Sequence, residues 1–178
     1  VMARKSAELS GVRVSRSAFD GSLAFLDRVT DPDHRVGYVR RPSREAWDSD
    51  ALTAVGVMCR IFIDRDRSAG HVRGGAAVAA RLAPSSRQLD YYAWYYTALA
   101  LFQYDGPSGP LWTSWNERMK ETVTGLQRGA ADGCAAGSWD AADTWSWGGG
   151  RVYATALNVL TLEVYYRYES VFGAGKRS

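Results

Sequence analysis

The segment Thr97–Phe102 (TALALF) has two counterparts in the chain, Thr53–Met58 (TAVGVM) and Thr155–Leu160 (TALNVL). The three threonines are spaced by 44 and then by 58 residues (53 to 97 to 155). A period of this size fits one helix hairpin plus a loop of variable length. The third segment continues to Tyr168 and is apolar around most of its circumference, which is typical of a helix buried against several neighbours. The repeat therefore predicts three equivalent inner helices, over residues 50–64, 89–104 and 150–169.

Helices with only one apolar face are predicted between the inner helices. The clearest spans residues 111–127, where charged side chains fill one face and the opposite face carries Trp112, Trp115, Met119, Val123 and Leu126 at three- and four-residue steps. Another spans residues 17–29 and opens with Ser17 and Asp20 at the spacing of a capping box. A third spans residues 69–82 and contains Gly74-Gly75, each glycine weakening a helix by about 1 kcal/mol relative to alanine. These three are predicted outer helices.

The order of these elements predicts an all-α fold in one domain over residues 1–178. It is an array of three outer-inner hairpins preceded by a helix stub, and no segment alternates with the period of a strand. Residues 1–11 read as the end of an inner helix, stopped by Gly11, and residues 173–178 as a polar tail. Because the chain opens inside a helix, we expect it to be part of a longer protein. Val1–Leu9 is polar and shows no signal peptide.

Composition excludes several classes of protein. Apolar residues make up 46% of the chain and charged residues 23%, as in ordinary globular domains. The net charge of +3 is spread along the chain without a basic stripe, which argues against nucleic-acid binding. Charges interrupt every apolar run before the roughly 18 residues of a membrane span. Localisation stays undetermined.

No metal or cofactor is predicted. His34 and His71 have no cysteine at the spacing of a zinc site, and Cys59 and Cys134 form neither a metal pattern nor a disulfide framework. The run Asp31-Pro32-Asp33-His34 offers too few ordered oxygen ligands for calcium and reads as a turn.

The loop after the third outer helix carries a family resemblance. Gln127, Gly137 and Trp139 in this loop are similar to the Gln-to-Gly-x-Trp signature of squalene cyclases and of prenyltransferase and squalene oxidase repeats. The chain resembles roughly half of the α/α toroid of terpenoid cyclases and protein prenyltransferases. The spacing from Gln127 to Gly137 is longer than in the family motif, and loops 29–47 and 82–90 carry no copy.

The resemblance implies a structural role for the three motif residues. A glutamine at a helix end can bond to exposed backbone groups, and a tryptophan can cover the turn with a large apolar face. The aspartate-rich string with which protonating cyclases start their reaction does not occur in this sequence.

Aromatic residues are the most unusual feature of the composition, with seven Trp, ten Tyr and five Phe. Tyr91, Trp94 and Tyr95 share one face of the second inner helix and are the candidate ligand-binding residues. Aromatic faces turned toward a cavity can stabilise a carbocation or stack on a sugar. The alternative is that these rings pack between inner and outer helices.

Asp140 and Asp143 are the candidate catalytic residues. They lie beside Trp139, Trp145 and Trp147, just before the third inner helix, where carboxylates at a cavity rim could act as general acid or base. The alternative is that they cap the helix or form a turn.

Three functions remain open at this point. The resemblance implies a prenyltransferase-like or cyclase-like domain that holds an isoprenoid or another apolar small molecule in its aromatic centre. The alternatives are a noncatalytic repeat scaffold for protein interaction and a carbohydrate-active α/α toroid. Three hairpins and a stub would leave the inner helices at both ends without a neighbour, and the residues left partly bare would include Tyr153, Tyr165, Tyr166 and Tyr168 on the last one. We therefore expect self-association, or a missing N-terminal half of the toroid that covers this face.

Overall fold

The computed structural model describes residues 1–42 and 51–167. These residues form eight α-helices and one short 3₁₀ segment at Ala130–Ala135. The helices are α1 (Met2–Leu9), α2 (Ser17–Val29), α3 (Ala51–Asp64), α4 (Gly70–Ala80), α5 (Tyr91–Asp105), α6 (Pro110–Gly125), α7 (Ser146–Leu162) and α8 (Val164–Arg167). The all-α fold predicted from the sequence is confirmed. The part of the chain that the structure describes contains no strand, only isolated bridges between Thr30 and Val36 and between Ser85 and Gln88.

Local signals explain where the central helices begin. Asp90 caps α5 by accepting a 2.9 Å hydrogen bond from the Ala93 amide. Asp105, at the end of α5, accepts hydrogen bonds from the first amides of α6, including that of Trp112 at 2.9 Å. Pro110 lies in the first turn of α6, where its missing N–H leaves no bond unmade. The five helices α2 to α6 lie within two residues of the predicted ranges.

The start of α2 differs from the predicted capping box. Ser17 and Asp20 make no such box, because the helical conformation begins at Arg16 and places Ser17 inside the first turn. The Ser17 hydroxyl instead lies 2.8 Å from that of Ser15. A serine can cap only from the position before the first helical residue, so a shift of one residue removes the bond.

The last inner helix contains a break. Gly150 has φ 58° and ψ −150°, which interrupts the helical conformation near the start of α7. Only glycine adopts this region readily. The regular part of the helix therefore follows Gly150, close to the predicted start. Residues 168–169 of this predicted helix, the polar tail at 173–178 and residues 43–50 lie outside the described residues.

Contacts between helices in the described part of the chain run mainly along the helices that were predicted to be inner. The inner helices contact one another in order, α1 with α3, α3 with α5, and α5 with α7. The outer helices α4 and α6 contact each other and α5. The main core lies between these layers, and its largest buried side chains include Trp115, Trp139, Tyr91 and Met58. None of the helices among the described residues is long and apolar enough to cross a membrane.

Candidate functional site

The predicted ligand-binding residues Tyr91, Trp94 and Tyr95 on α5 are not all buried to the same degree. Tyr91 and Trp94 are 2% and 4% exposed, and their rings meet edge to face with centroids 5.4 Å apart. Tyr95 is half-buried against the core and touches Tyr96, with centroids 5.2 Å apart. Tyr91 and Trp94 are thus packed between helices, as the alternative interpretation of the sequence has it. Other aromatic rings of α5 are more accessible, namely those of Tyr92 and Tyr96 on the neighbouring face of the helix.

We define the aromatic cluster as Tyr92, Tyr96, Trp145 and Tyr153. The rings of Tyr92 and Tyr96 lie 4.7 Å apart between centroids, and Trp145 lies 6.2 Å from Tyr92. Trp145 is 44% exposed, and the three tyrosines are half-buried. The cluster sits at the N-terminal ends of α5 and α7. The Tyr153 hydroxyl is buried and has no hydrogen-bond partner.

The environment of Tyr92 and Tyr153 disfavours the charged form of these two phenols. Burial and then the Asp143 and Asp90 charges raise the pKa of Tyr153 well above its usual range, with further contributions from Tyr92 and Tyr96. Burial and Tyr96 also raise the pKa of Tyr92 to about 12. At neutral pH these hydroxyls therefore act as hydrogen-bond donors and the rings as apolar surfaces.

Asp143 holds the two helices that carry the cluster. It is 8% exposed, and one carboxylate oxygen accepts a 3.1 Å hydrogen bond from the Tyr91 amide at the start of α5. The other oxygen accepts a hydrogen bond from the Ser146 hydroxyl at the start of α7. Because both oxygens have partners inside the protein, Asp143 forms a buried bridge between the start of α5 and the start of α7.

Asp140 lies on the surface in an ion-pair network. It pairs with Arg128 and with Arg151, the latter at 2.6 Å between Oδ1 and a guanidinium nitrogen. Hydrogen bonds from these two arginines hold the pKa of Asp140 below its usual value. The carboxylate is therefore ionised at neutral pH and carries no proton to donate as a general acid.

The structure brings Gln127, Gly137 and Trp139 together at the end of α6. The Gln127 amide nitrogen donates a 2.9 Å hydrogen bond to the Gly137 carbonyl, and Gly137 has φ 80°, which favours glycine. The Trp139 indole is 2% exposed and donates a 2.7 Å hydrogen bond to the Val123 carbonyl in the last turn of α6. The tryptophan thus covers the helix end and adds a hydrogen bond to a carbonyl that otherwise accepts only a longer, 3.3 Å bond from the Leu126 amide.

A related contact at the end of α4 does not follow from the sequence motif. The Trp115 indole donates a 3.0 Å hydrogen bond to the Leu82 carbonyl, and the side chain is 1% exposed. Here the tryptophan comes from the next outer helix instead of from the following loop. The helical pattern predicts that Trp115 is buried, but no local signal indicates its partner.

The structure also describes the predicted turn at Asp31 and the two histidines that the sequence analysis weighed as metal ligands. The Asp31 carboxylate accepts a 2.8 Å hydrogen bond from the Arg35 amide, which closes the expected turn. His34 and His71, 37 residues apart, meet through their Nδ1 atoms at 3.1 Å. No group of three or more potential metal ligands occurs in residues 1–42 and 51–167.

A groove of about 430 Å³ lies on the outer side of the array. It runs between α6 and the loop before α5 and contains none of the cluster residues; it is lined by Pro84, Ser85, Ser86, Arg118, Glu121, Thr122, Gly125 and Leu126. The groove is mainly polar and lacks aromatic residues. The aromatic cluster remains the surface with the most distinctive chemistry.

The function proposed below rests on the geometry of this site, and the comparisons with known proteins add no family to it. No protein-family profile matches the chain, and no curated protein or solved structure matches it significantly.

Proposed function

We propose that this chain is a helical-hairpin domain of the terpenoid cyclase and prenyltransferase type that binds an apolar, isoprenoid-class ligand on its aromatic cluster. Two features support the family: the order of helix contacts and the hydrogen bonds of Gln127 and Trp139 at the end of α6. The observation that carries the binding proposal is the partly exposed set of rings itself, with the centroids of Tyr92 and Tyr96 4.7 Å apart and Trp145 6.2 Å from Tyr92.

The cluster suits a chain of apolar groups with one polar end. Its ring faces offer dispersion contacts, and burying apolar surface of the ligand against them is worth about 25 cal/mol per Å². The Tyr153 hydroxyl is buried and has no partner, so a ligand oxygen can accept a hydrogen bond from it only where binding moves the side chains that cover it. No reaction is proposed, because Asp140 is ion-paired and both Asp143 oxygens are engaged.

Titration with farnesol, followed by tryptophan fluorescence and by calorimetry, tests the proposal. We expect saturable quenching, because Trp145 is 44% exposed within the cluster. Tyr92→Leu should weaken binding by about fivefold, which corresponds to about 1 kcal/mol. The matched control is Tyr166→Leu, since Tyr166 is 81% exposed on α8 and lies outside the cluster. Trp145→Phe should remove most of the quenching while calorimetry still detects binding.

Two outcomes would contradict the proposal. One is the absence of any saturable response to farnesol; a saturable response to oligosaccharides instead would favour the carbohydrate-active toroid. The other is equal weakening by Tyr92→Leu and Tyr166→Leu, which would place the ligand elsewhere.

A second candidate function, a scaffold that associates with another copy of itself, is favoured by one face of α7 and α8. Val152 and Tyr166 are both 81% exposed, and Val159 is 39% exposed. With the exposed Ala156 between them, these residues recur at helical spacing along one stripe. Contiguous apolar stripes of this kind often mark interfaces. The side chain of Tyr165 and the whole of Tyr168 lie outside the described residues.

Sedimentation velocity tests this second candidate. The parent chain should associate with rising concentration, and the double variant Val152→Glu, Tyr166→Ser should stay monomeric. Leu9→Ser is the control, because Leu9 is 69% exposed on α1 at the other end of the array. A parent that remains monomeric at high micromolar concentration would exclude self-association through this stripe.

A further inference from the structure

A histidine pair joins the loop after α2 to the first turn of α4. His34 lies in the loop between Thr30 and Val36, and its Nδ1 is 3.1 Å from Nδ1 of His71. The two ring centroids are 5.2 Å apart. This is close to the distance expected when the facing nitrogens lie between the two ring centres. The two nitrogens therefore point at each other, as in an N–H···N hydrogen bond.

The loop is shaped to present His34 at this place. His34 has φ 67°, a conformation that residues other than glycine rarely adopt. Its ring lies directly on Gly74 of α4, where an added Cβ would come within 1.9 Å of the imidazole. Val36 packs against Gly56 of α3 in a similar way, because a Cβ added to that glycine would lie 2.7 Å from the valine side chain. Two helices thus leave space for two side chains of one loop.

The contact depends on the charge of the pair. An N–H···N bond between two Nδ1 atoms needs one protonated nitrogen and one free lone pair. One imidazolium can still donate to a neutral partner, but a second proton removes the only acceptor. It also sets two positive charges about one hydrogen-bond length apart in a partly buried place. The doubly protonated pair is therefore incompatible with the contact.

Burial and then the surrounding charges set the pKa of His71. Burial, then Arg60 of α3 and His34, lower the pKa of His71, while Asp27 of α2 and Asp31 of the loop raise it. Arg60 is itself paired with Asp27 at 2.7 Å, which limits its effect. Asp64 and Asp66 line a small cavity of about 100 Å³ together with His71. The net result is a lowered pKa, so the folded protein resists protonation of His71.

We propose that the His34–His71 pair is a pH-sensitive latch that holds the loop over residues 31–37 on α4 at neutral pH and releases it in acid. Release follows when the pair takes its second proton, because no acceptor nitrogen then remains, the two cations repel, and the His34 ring moves away from Gly74. The latch acts on the loop that ties α2 to α3 and α4, so the N-terminal hairpin loosens before the core around α5.

The sign of the pH dependence follows from linkage. His71 has its ordinary pKa of about 6.5 when unfolded and a lower one when folded, so the unfolded or open state binds the proton more readily. Closure of the latch is thus fully stabilised above about pH 6.5 and weakens progressively as the pH falls below that value.

Hydrogen exchange of the loop amides tests the latch. The amides of Asp31, His34 and Gly37 are hydrogen-bonded within or beside the loop and report its closure. After correction for intrinsic rates, their protection should fall by about tenfold or more between about pH 7.5 and about pH 5, while α5 amides keep theirs. In His71→Asn, which cannot titrate, protection should change by less than about threefold. A wild-type loop whose protection does not change, or a His71→Asn loop that opens as much in acid, would overturn the proposal.

Two further measurements guard against a variant that fails to fold. Nuclear magnetic resonance of the wild-type protein should show His71 titrating below its ordinary pKa. Gly74→Ala keeps both histidines but displaces the His34 ring, so His71 should titrate closer to its ordinary value and the acid opening of the loop should disappear. An unchanged His71 titration in Gly74→Ala would show that His34 does not act on it and would reject the latch.

Discussion

The backbone N–H of Trp139 donates a 3.2 Å hydrogen bond to Oγ1 of Thr155, so an inner helix holds the loop that leads into it. The first repeat contains the same link, because the Val36 N–H donates to Oγ1 of Thr53 at 3.1 Å. Thr97 occupies the equivalent position in the second repeat, but its hydroxyl is buried and has no partner. The repeated threonine thus has a structural task in two of the three repeats.

This difference predicts opposite effects for one substitution. Thr53→Val and Thr155→Val should each lower the free energy of unfolding by about 1–3 kcal/mol, because a loop amide loses its acceptor. Thr97→Val should be neutral or stabilising, since it replaces an unpaired buried hydroxyl with a methyl group. Urea unfolding of the three variants measures the comparison. Equal destabilisation by all three would show that these threonines matter only for packing.

Trp139 should be the most costly side chain to remove from the loop after α6. Trp139→Ala should lower the free energy of unfolding by about 3–5 kcal/mol, because it leaves a large cavity. Trp139→Phe should cost less, since it keeps an aromatic ring and loses the bond to the Val123 carbonyl. Trp147, 88% exposed, is the control, and Trp147→Ala should change stability by less than about 0.5 kcal/mol. An unchanged denaturation midpoint for Trp139→Ala would disprove the covering role.

The helix order could be predicted because local signals carry it. Repeated apolar segments, an acid before α5 and a proline at the start of α6 each act within a few residues. The face of α5 could not be predicted in the same way. That helix carries aromatic or apolar residues all round, so its sequence does not say whether Tyr91 or Tyr92 is buried in the core. Only the packing of α3, α4 and α6 around it decides this.

Gly74-Gly75 shows a second limit of local reasoning. From the sequence, the two glycines only weaken α4. In the fold, Gly74 carries the His34 ring and Gly75 lies against Val57, where an added Cβ would be 2.6 Å from the valine. Both contacts join distant parts of the chain, as does the Thr155 link to Trp139. A single sequence contains no local signal for such pairs.

The aromatic cluster predicts a loss of stability in alkali. The pKa of Tyr92 is about 12 in the fold and about 10 when unfolded, because burial and Tyr96 disfavour the phenolate. Its contribution to stability is therefore fully present below about pH 10 and disappears as the pH rises toward 12. Absorbance at the phenolate band should show a tyrosine titrating near 12 that is missing in Tyr92→Phe. The variant should also unfold less steeply between about pH 10 and 12. A Tyr92 that titrates near 10 would place its ring in water and remove the basis for the ligand site.

Asp143 and Asp140, which are three residues apart, should respond differently to neutralisation. Asp143 is 8% exposed and bridges the starts of α5 and α7, so Asp143→Ala leaves the Tyr91 amide and the Ser146 hydroxyl without their acceptor. We expect a loss of about 1–3 kcal/mol in the free energy of unfolding, with little dependence on salt. Asp140 pairs with Arg128 and Arg151 at the surface, where dissolved ions screen the attraction. Asp140→Asn should therefore have a smaller effect that shrinks as sodium chloride is added. Urea unfolding of both variants at low and high salt measures the difference. If Asp140→Asn destabilises the protein more than Asp143→Ala, or if the Asp143→Ala effect vanishes in salt, Asp143 does not act as a buried bridge between α5 and α7, the helices that carry Tyr92 and Tyr153.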